Sequence, residues 1–244
     1  LELAAQSRRQ HGISVITCTN RPTYIRNLFR NYLRQRHTKK ELIIIVNHQN
    51  MSMSRYQQWA NKLGNVRIYR LPRTYTLGAC LNYAVRKSVH PYIAKFDDDD
   101  YYSPYYLTEC LQSFRRSKAD IIGKRAHYMY LQGSKALLLR FPNDQHKYVS
   151  KLPGATLVFR RKVFGKVQFP NQNVGEDDIF CLRGKKQGYR IYSAGKYNFL
   201  AIRRRNSYQH TWIISDQKLL AYHKRIPNVR DVRSYVRRKP GGGR

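Results

Sequence analysis

The residues of this chain best suited to chemistry are its carboxylates, because there are so few of them. Only 14 Asp and Glu stand against 47 Lys and Arg in 244 residues, a formal net charge of +33. Four of the acids are consecutive, Asp97-Asp98-Asp99-Asp100, and three more form Glu176-Asp177-Asp178. Half of the negative charge thus lies in two clusters.

Two readings fit the four-Asp run. It suits a solvated turn, since Asp favours loops by bonding its own backbone. It also suits a divalent-cation site: Mg²⁺ and Mn²⁺ take carboxylate oxygens, commonly one or two from the protein and the rest from water and substrate phosphate. Adjacent carboxylates repel one another, and a bound cation relieves that. The preceding residues favour the second reading. Tyr92-Ile93-Ala94-Lys95-Phe96 reads as a strand, so the acids fall just past a strand's carboxyl end, where open α/β sheets bind ligands.

Glu176-Asp177-Asp178 follows Gly175 at the start of a helical stretch. Carboxylates there cap backbone N–H groups and suit the helix dipole, worth roughly 0.3–1 kcal/mol. The functional alternative is a general base that takes a proton from an attacking hydroxyl, with the neighbouring acid setting its position and pKa. His210, in Gln209-His210-Thr211-Trp212, follows the basic run Arg203-Arg204-Arg205. A His beside Trp is ordinarily a packed residue and such arginines a solvated face. In a site, the His would ligate Mn²⁺ and the arginines would hold phosphate oxygens bidentately.

The elements that must position these groups follow from hydrophobic spacing. Ile13 to Cys18 is a β-branched run, followed by the turn-like Thr19-Asn20-Arg21-Pro22 and then by Ile25, Leu28, Phe29, Tyr32 and Leu33 on one helical face. The unit repeats: a strand over 41–46 with a helix through Tyr56, Trp59, Ala60 and Leu63, then a strand over 66–69 with a helix through Leu77, Cys80, Leu81, Ala84 and Val85. Apolar strands alternating with amphipathic helices predict a parallel sheet covered on both faces. Beyond it the spacing predicts a helix over 104–115, a strand over 119–122, a hairpin joining 127–131 to 136–139, a strand over 156–159, helices over 161–167 and 176–187, and strands over 190–193 and 198–202. This second half reads as a mixed region completing a pocket.

Composition bounds the rest. A hydrophobic content of 41% supports one sizeable core. No run of 18 apolar residues and no signal-peptide pattern is present, so a cytoplasmic protein is expected. The chain begins with Leu, as a fragment would. Cys18, Cys80, Cys110 and Cys181 form no CxxC pair and read as buried thiols of a reducing compartment. The cationic excess implies attraction to a polyanion, whether nucleic acid, an anionic membrane or an acidic polymer. Residues 225–244 read as a disordered basic tail.

Taken together, ISVITCTNRP, LGACLNYA, AKFDDDDYYSPYYL, PGATLVFRR, GEDDIFCLR and QHTW resemble family 2 glycosyltransferases over roughly residues 12–215. The resemblance implies a GT-A fold, an α/β architecture with a Rossmann-like, mainly parallel mixed sheet flanked by helices and an acceptor-binding second half. It divides the chain into a leader or frayed segment over 1–11, a nucleotide-binding half over 12–123, an acceptor half over 124–215 and a basic tail over 216–244. It further implies inverting transfer of a sugar from a nucleotide diphosphate, most often a UDP-sugar, to an acceptor hydroxyl with Mn²⁺ or Mg²⁺, in bacterial surface, spore or related glycopolymer synthesis. Asp97-Asp98-Asp99 matches the DxD motif, with Asp99 the direct metal ligand and Asp97 and Asp98 near the nucleotide. Asp177 matches the base of the ED pair, with Glu176 beside it, and His210 a C-terminal histidine at the metal or diphosphate. Thr17, Thr19, Arg21, Asn47 and Arg73 are the other nucleotide candidates, and Gly154, Asp178 and Trp212 the candidates for acceptor or donor sugar. Asn47-His48 stands where the family commonly has an acidic pair, which leaves the nucleobase open.

The implied partners are a nucleotide-sugar donor and a carbohydrate or anionic glycopolymer acceptor, with peripheral contact to the inner face of an anionic membrane and no nucleic acid. Two rivals stand beside this reading. A sugar nucleotidyltransferase would share the α/β half and the acids but ordinarily needs a Gly-rich phosphate loop, which Thr19-Asn20-Arg21-Pro22 lacks. A noncatalytic polyanion binder explains the charge but neither acidic cluster.

Overall fold

The computed structural model describes residues 11–205 and 214–240. Its first half follows the alternation in the sequence. Ile13–Thr19 (β1) leads through a 3₁₀ turn into Ile25–Leu33 (α1), then come Lys40–Val46 (β2), Ser54–Leu63 (α2), Val66–Arg70 (β3), Leu77–Lys87 (α3) and Tyr92–Lys95 (β4). These four strands lie parallel in the order β3-β2-β1-β4. Alternate residues of each strand face opposite sides, and burial of both faces is why residues 42–46 of β2 are wholly apolar. Leu42, Ile44 and Val46 pack with Phe29, Tyr32 and Tyr56 on one face, while Ile43 and Ile45 pack with Leu81 and Val85 of α3 on the other.

The chain then leaves this sheet. Tyr101–Tyr102 (β5) already belongs to a second one, and Tyr106–Ser117 (α4) runs back over the first core layer, burying Tyr106, Leu107 and Phe114. Ile121–Gly123 (β6), His127–Leu131 (β7), Ala136–Arg140 (β8), Lys147–Tyr148 (β9), Val158–Arg160 (β10), Glu176–Lys186 (α5), Ile191–Ser193 (β11) and Phe199–Arg203 (β12) follow. The large sheet is completed as β3-β2-β1-β4-β10-β6-β11-β9, with β10 antiparallel to both β4 and β6. The hairpin expected around 132–135 is present as the antiparallel pair β7–β8, but it seeds the small sheet. The short helix expected over 161–167 is present as a 3₁₀ helix over 161–165, and residues 154–156 form a 3₁₀ turn ahead of a strand that begins two residues late.

The basic C-terminal stretch departs from expectation. Instead of a disordered tail, residues 216–240 carry Asp216–Tyr222 (α6), Lys224–Ile226 (β13) and Val232–Val236 (α7). Strand β13 pairs antiparallel with β8, closing the small sheet as β13-β8-β7-β12-β5. Leu219 and Val236 are buried on opposite faces of that sheet, and the Arg238 guanidinium lies over the Tyr197 ring at 4.6 Å. These few apolar and cation–π anchors hold the segment despite its charge. Among the described residues no helix is long and apolar enough to cross a membrane. The expected leader falls, apart from His11, outside the described residues.

Candidate active site

The four aspartates are the crossing between the two sheets: β4 ends at Lys95 and β5 begins at Tyr101. Helix α1 holds this crossing by two asparagines one turn apart. Asn27 Nδ2 donates to the carbonyls of Asp98 and Asp100 at 2.7 and 2.9 Å, and Asn31 Nδ2 to the Asp100 carbonyl at 2.8 Å. The Tyr102 hydroxyl accepts from the Asp97 N–H and donates to the Ala155 carbonyl, while its ring stacks on Phe96. Asp100 is spent on structure: its buried Oδ1 accepts from the Ile202 N–H at 2.8 Å. Burial, reinforced by Asp99 and Asp97, pushes its carboxyl well above the usual range.

The other three acids each meet a cation of the chain. Asp97 Oδ1 accepts from Lys95 Nζ at 2.5 Å. Asp98 is buried, bonded through both oxygens to Arg21 and through Oδ2 to the Thr19 hydroxyl at 2.6 Å. Burial outweighs Arg21 here and lifts the Asp98 carboxyl to about 6. Asp99 Oδ2 lies 2.9 Å from Arg21 Nη1 and 3.3 Å from Arg204 Nη2.

The second cluster opens α5. Gly175 takes the left-handed conformation (φ 74°) ahead of it, a turn at which glycine carries no Cβ penalty. Asp177 is held by backbone N–H groups on both oxygens, from Gly154 to Oδ2 at 2.6 Å and from Asp178 to Oδ1 at 2.9 Å. Glu176 is buried, and burial raises its carboxyl to about 7 against the opposing pull of Lys95. The segment leading into α5 is docked on α3 by the LGACLNYA motif. Asn82 exchanges two hydrogen bonds with the Phe169 backbone at 2.9 and 3.0 Å, and Gly78 N–H donates to the Gln172 carbonyl at 3.1 Å. A Cβ at Gly78 would stand 1.8 Å from the Pro170 carbonyl oxygen, so only glycine allows this approach.

Both clusters face one cavity of about 660 Å³ at the sheet junction. It is lined by Asp97, Asp98, Asp99, Glu176 and Asp177, and around them by Thr19, Arg21, Asn47 and Gly154. Three sequence candidates are not brought to its wall. Thr17 lies buried within β1 with its hydroxyl unpartnered, on the same strand face as Thr19 but two residues deeper into the sheet; Arg73 is exposed beyond β3; and Asp178 points to solvent beside Lys151 Nζ at 3.2 Å. His210 and Trp212 lie outside the described residues. Lys95, absent from the sequence candidates, also lines the cavity. Its ammonium is buried; against that burial, Asp97, Glu176 and Asp177 hold its pKa above the usual value. The signal for it was a lysine within an otherwise apolar strand.

The donor chemistry suits a hard dication completed by substrate phosphate. Asp97 and Asp99 keep 37% and 14% of their side chains open, enough for the one or two carboxylates that Mg²⁺ or Mn²⁺ takes from a protein. Among the described residues no group of three or more His, Cys, Asp or Glu side chains forms a self-sufficient metal cage.

Residues 14–175, well over half of the chain, match the family model described as Glycosyl transferase family 2. The chain belongs to glycosyl transferase family 2. The match runs from β1 through the acid run and ends at Gly175, immediately before the Glu176-Asp177 pair of this family 2 glycosyltransferase domain. No curated protein sequence matches it. Solved structures share its GT-A fold. S. aureus TarS 1-349 in complex with UDP-GlcNAc superposes with a TM-score of 0.66 at 17% identity, over 86% of this chain and 64% of that one. The same protein with UDP gives 0.61 at 20% identity, over 78% and 60%. The mannosyltransferase PcManGT from Pyrobaculum calidifontis, in complex with GDP-Man and Mn²⁺, gives 0.59 at 15% identity, over 80% and 57%. This family 2 domain thus spans less than two thirds of the length of these chains.

Proposed function

We propose that this chain moves a sugar, with inversion, from a nucleotide diphosphate donor to an acceptor hydroxyl, a UDP-sugar being the favoured donor. The observation that carries the reading is the meeting of both acid clusters on one cavity at the carboxyl end of β4. The bound donors of structural neighbours, UDP-GlcNAc and GDP-Man, support the same substrate class. Residues 12–123 would then form the donor half and 124–215 the acceptor half. The charge of +33 fits an anionic glycopolymer or an acceptor at an anionic membrane surface, as in surface polysaccharide synthesis on the cytoplasmic side.

The chemistry follows from where charge develops. As the anomeric C–O bond breaks, negative charge grows on the departing diphosphate, and Arg21 and Arg204 line the cavity to meet it. Asp99, with Asp97 beside it, would hold Mn²⁺ or Mg²⁺, which when bound supplies Lewis-acid stabilisation of that leaving group. Asp177 accepts the proton of the attacking hydroxyl. The Gly154 and Asp178 N–H groups fix its orientation, so that one displacement suffices without a covalent intermediate.

Asp177→Asn tests this directly. It keeps the shape and loses the base, so transfer should fall by about 10²-fold or more while donor affinity holds. Unchanged turnover would remove Asp177 from the role.

A further inference from the structure

Asp98 and Asp99 are already neutralised, and by residues from two distant parts of the chain. Arg21, in the loop after β1, bonds both aspartates, and Arg204, at the end of β12, reaches the same Asp99 oxygen. Two carboxylates and two guanidiniums make an electrically balanced unit. Both guanidiniums also rest on one aromatic ring: the Arg21 and Arg204 Cζ atoms stand 4.7 and 5.4 Å from the Tyr24 centroid, and Arg204 Nη1 donates to the Tyr24 hydroxyl at 3.0 Å. Tyr24 therefore holds the two cations by cation–π attraction independently of the carboxylates.

A dication arriving alone at Asp99 meets this arrangement as an adversary. The oxygen it needs is shared by two arginines, and its charge adds to theirs at close range. A nucleotide diphosphate arriving with it changes the balance. Its oxygens offer the guanidiniums bidentate, charge-assisted partners to replace the carboxylate they release, and its negative charge offsets the dication. Arg21, Arg204 and the acids line one cavity, so the exchange needs only side-chain motion about the Tyr24 ring.

We propose that Arg21 and Arg204 are the resting counter-ions of Asp99, displaced from it by the divalent cation and turned toward the donor's diphosphate while Arg21 keeps its bonds to buried Asp98, so that cation and nucleotide bind cooperatively. The proposal rests on the donor reading above but goes beyond it, because it assigns the arginines an inhibitory role toward the bare metal. Linkage makes the coupling reciprocal: UDP must strengthen Mn²⁺ binding by the same factor as Mn²⁺ strengthens UDP binding, about tenfold or more.

The test is Mn²⁺ binding followed by electron paramagnetic resonance, with and without UDP, on the wild type, Arg204→Gln and Arg21→Gln, each checked for native circular dichroism. Arg204→Gln is the safer variant, since it touches the partly open Asp99 and leaves buried Asp98 paired. Removing either arginine should tighten binding of Mn²⁺ alone by about fivefold or more, weaken metal-free UDP binding, and make the mutual coupling measurably smaller than in the wild type. If the wild type binds Mn²⁺ with UDP but both folded variants keep its affinity for Mn²⁺ alone, the counter-ion role is overturned while the donor site stands. If the wild type binds neither ligand, the donor reading itself fails and carries this proposal with it.

Discussion

Gly154→Ala should separate catalysis from folding more cleanly than any change to a charged residue. The Gly154 N–H donates to Asp177 Oδ2 at 2.6 Å, and a methyl group at position 154 would stand 3.0 Å from Oδ2, 3.1 Å from Cβ and 3.2 Å from Cγ of Asp177. Ordinary contacts there are 3.4–4 Å, so the carboxylate must give way by a few tenths of an ångström. Misplacement of a reacting group by about 1 Å costs roughly 10²-fold, so this shift should lower kcat by about tenfold. The backbone itself does not object, because Gly154 is not in the left-handed region. Alanine restricts the unfolded chain by about 0.4–1 kcal/mol, which offsets much of the crowding, and stability should change little. Steady-state transfer with Mn²⁺, UDP titration by calorimetry and a thermal melt together make the assay. A folded variant with intact UDP affinity and a kcat reduced about tenfold is expected. Wild-type kcat in that folded variant would refute the assignment of Asp177 as a positioned base.

Asn82→Ala removes both hydrogen bonds to the buried Phe169 backbone. It should lower stability in urea by about 2–4 kcal/mol and kcat more than nucleotide affinity, since each unsatisfied buried group costs about 1–3 kcal/mol. A change within about 0.5 kcal/mol, typical of a surface site, would show that the motif does not clamp the base-bearing segment. Glu176 gives a pH signature. Its folded pKa of about 7 stands above the ordinary 4.5, so its stabilising contribution is full below 4.5 and is lost as pH rises through 7. Glu176→Gln should therefore flatten the pH dependence of stability between those values, by on the order of 3–4 kcal/mol at about 1.4 kcal/mol per unit. Parallel wild-type and variant curves would show that Glu176 is not held protonated by burial.

What the sequence revealed and what it hid divide along the range of the interactions. Strands β1 to β4 and helices α1 to α3 were legible because each is specified by its own spacing, and parallel burial makes 42–46 wholly apolar. The acid run was legible for the same local reason, an abrupt stop after β4. The small sheet as a whole was not: apart from the β7–β8 hairpin, its pairings of β12 with β5 and β7 and of β13 with β8 span separations that no local pattern records. Residues 216–240 looked like a tail because charge dominates their composition, whereas two buried side chains and an edge strand decide their fate. Thr17 drew attention by lying near the carboxyl end of β1, but its neighbour two residues on, Thr19, carries the hydroxyl that reaches Asp98. Lys95 was passed over because lysine reads as solvent-facing; its partners are Asp97, two residues away, and Glu176 and Asp177, some eighty residues away. The acids themselves were found, but the chain's own cations pairing with them come from residues 21, 95 and 204, which only the fold assembles.

The most direct test of the account is a calorimetric titration of UDP-, GDP-, CDP- and dTDP-sugars into the protein, with and without Mn²⁺. At least one should bind in a Mn²⁺-dependent way, with that binding lost in Asp99→Asn and retained in Asp177→Asn. Absence of metal-dependent binding to all four would contradict a nucleotide-sugar site between the two acid clusters and leave a cationic domain that binds polyanions on a transferase fold.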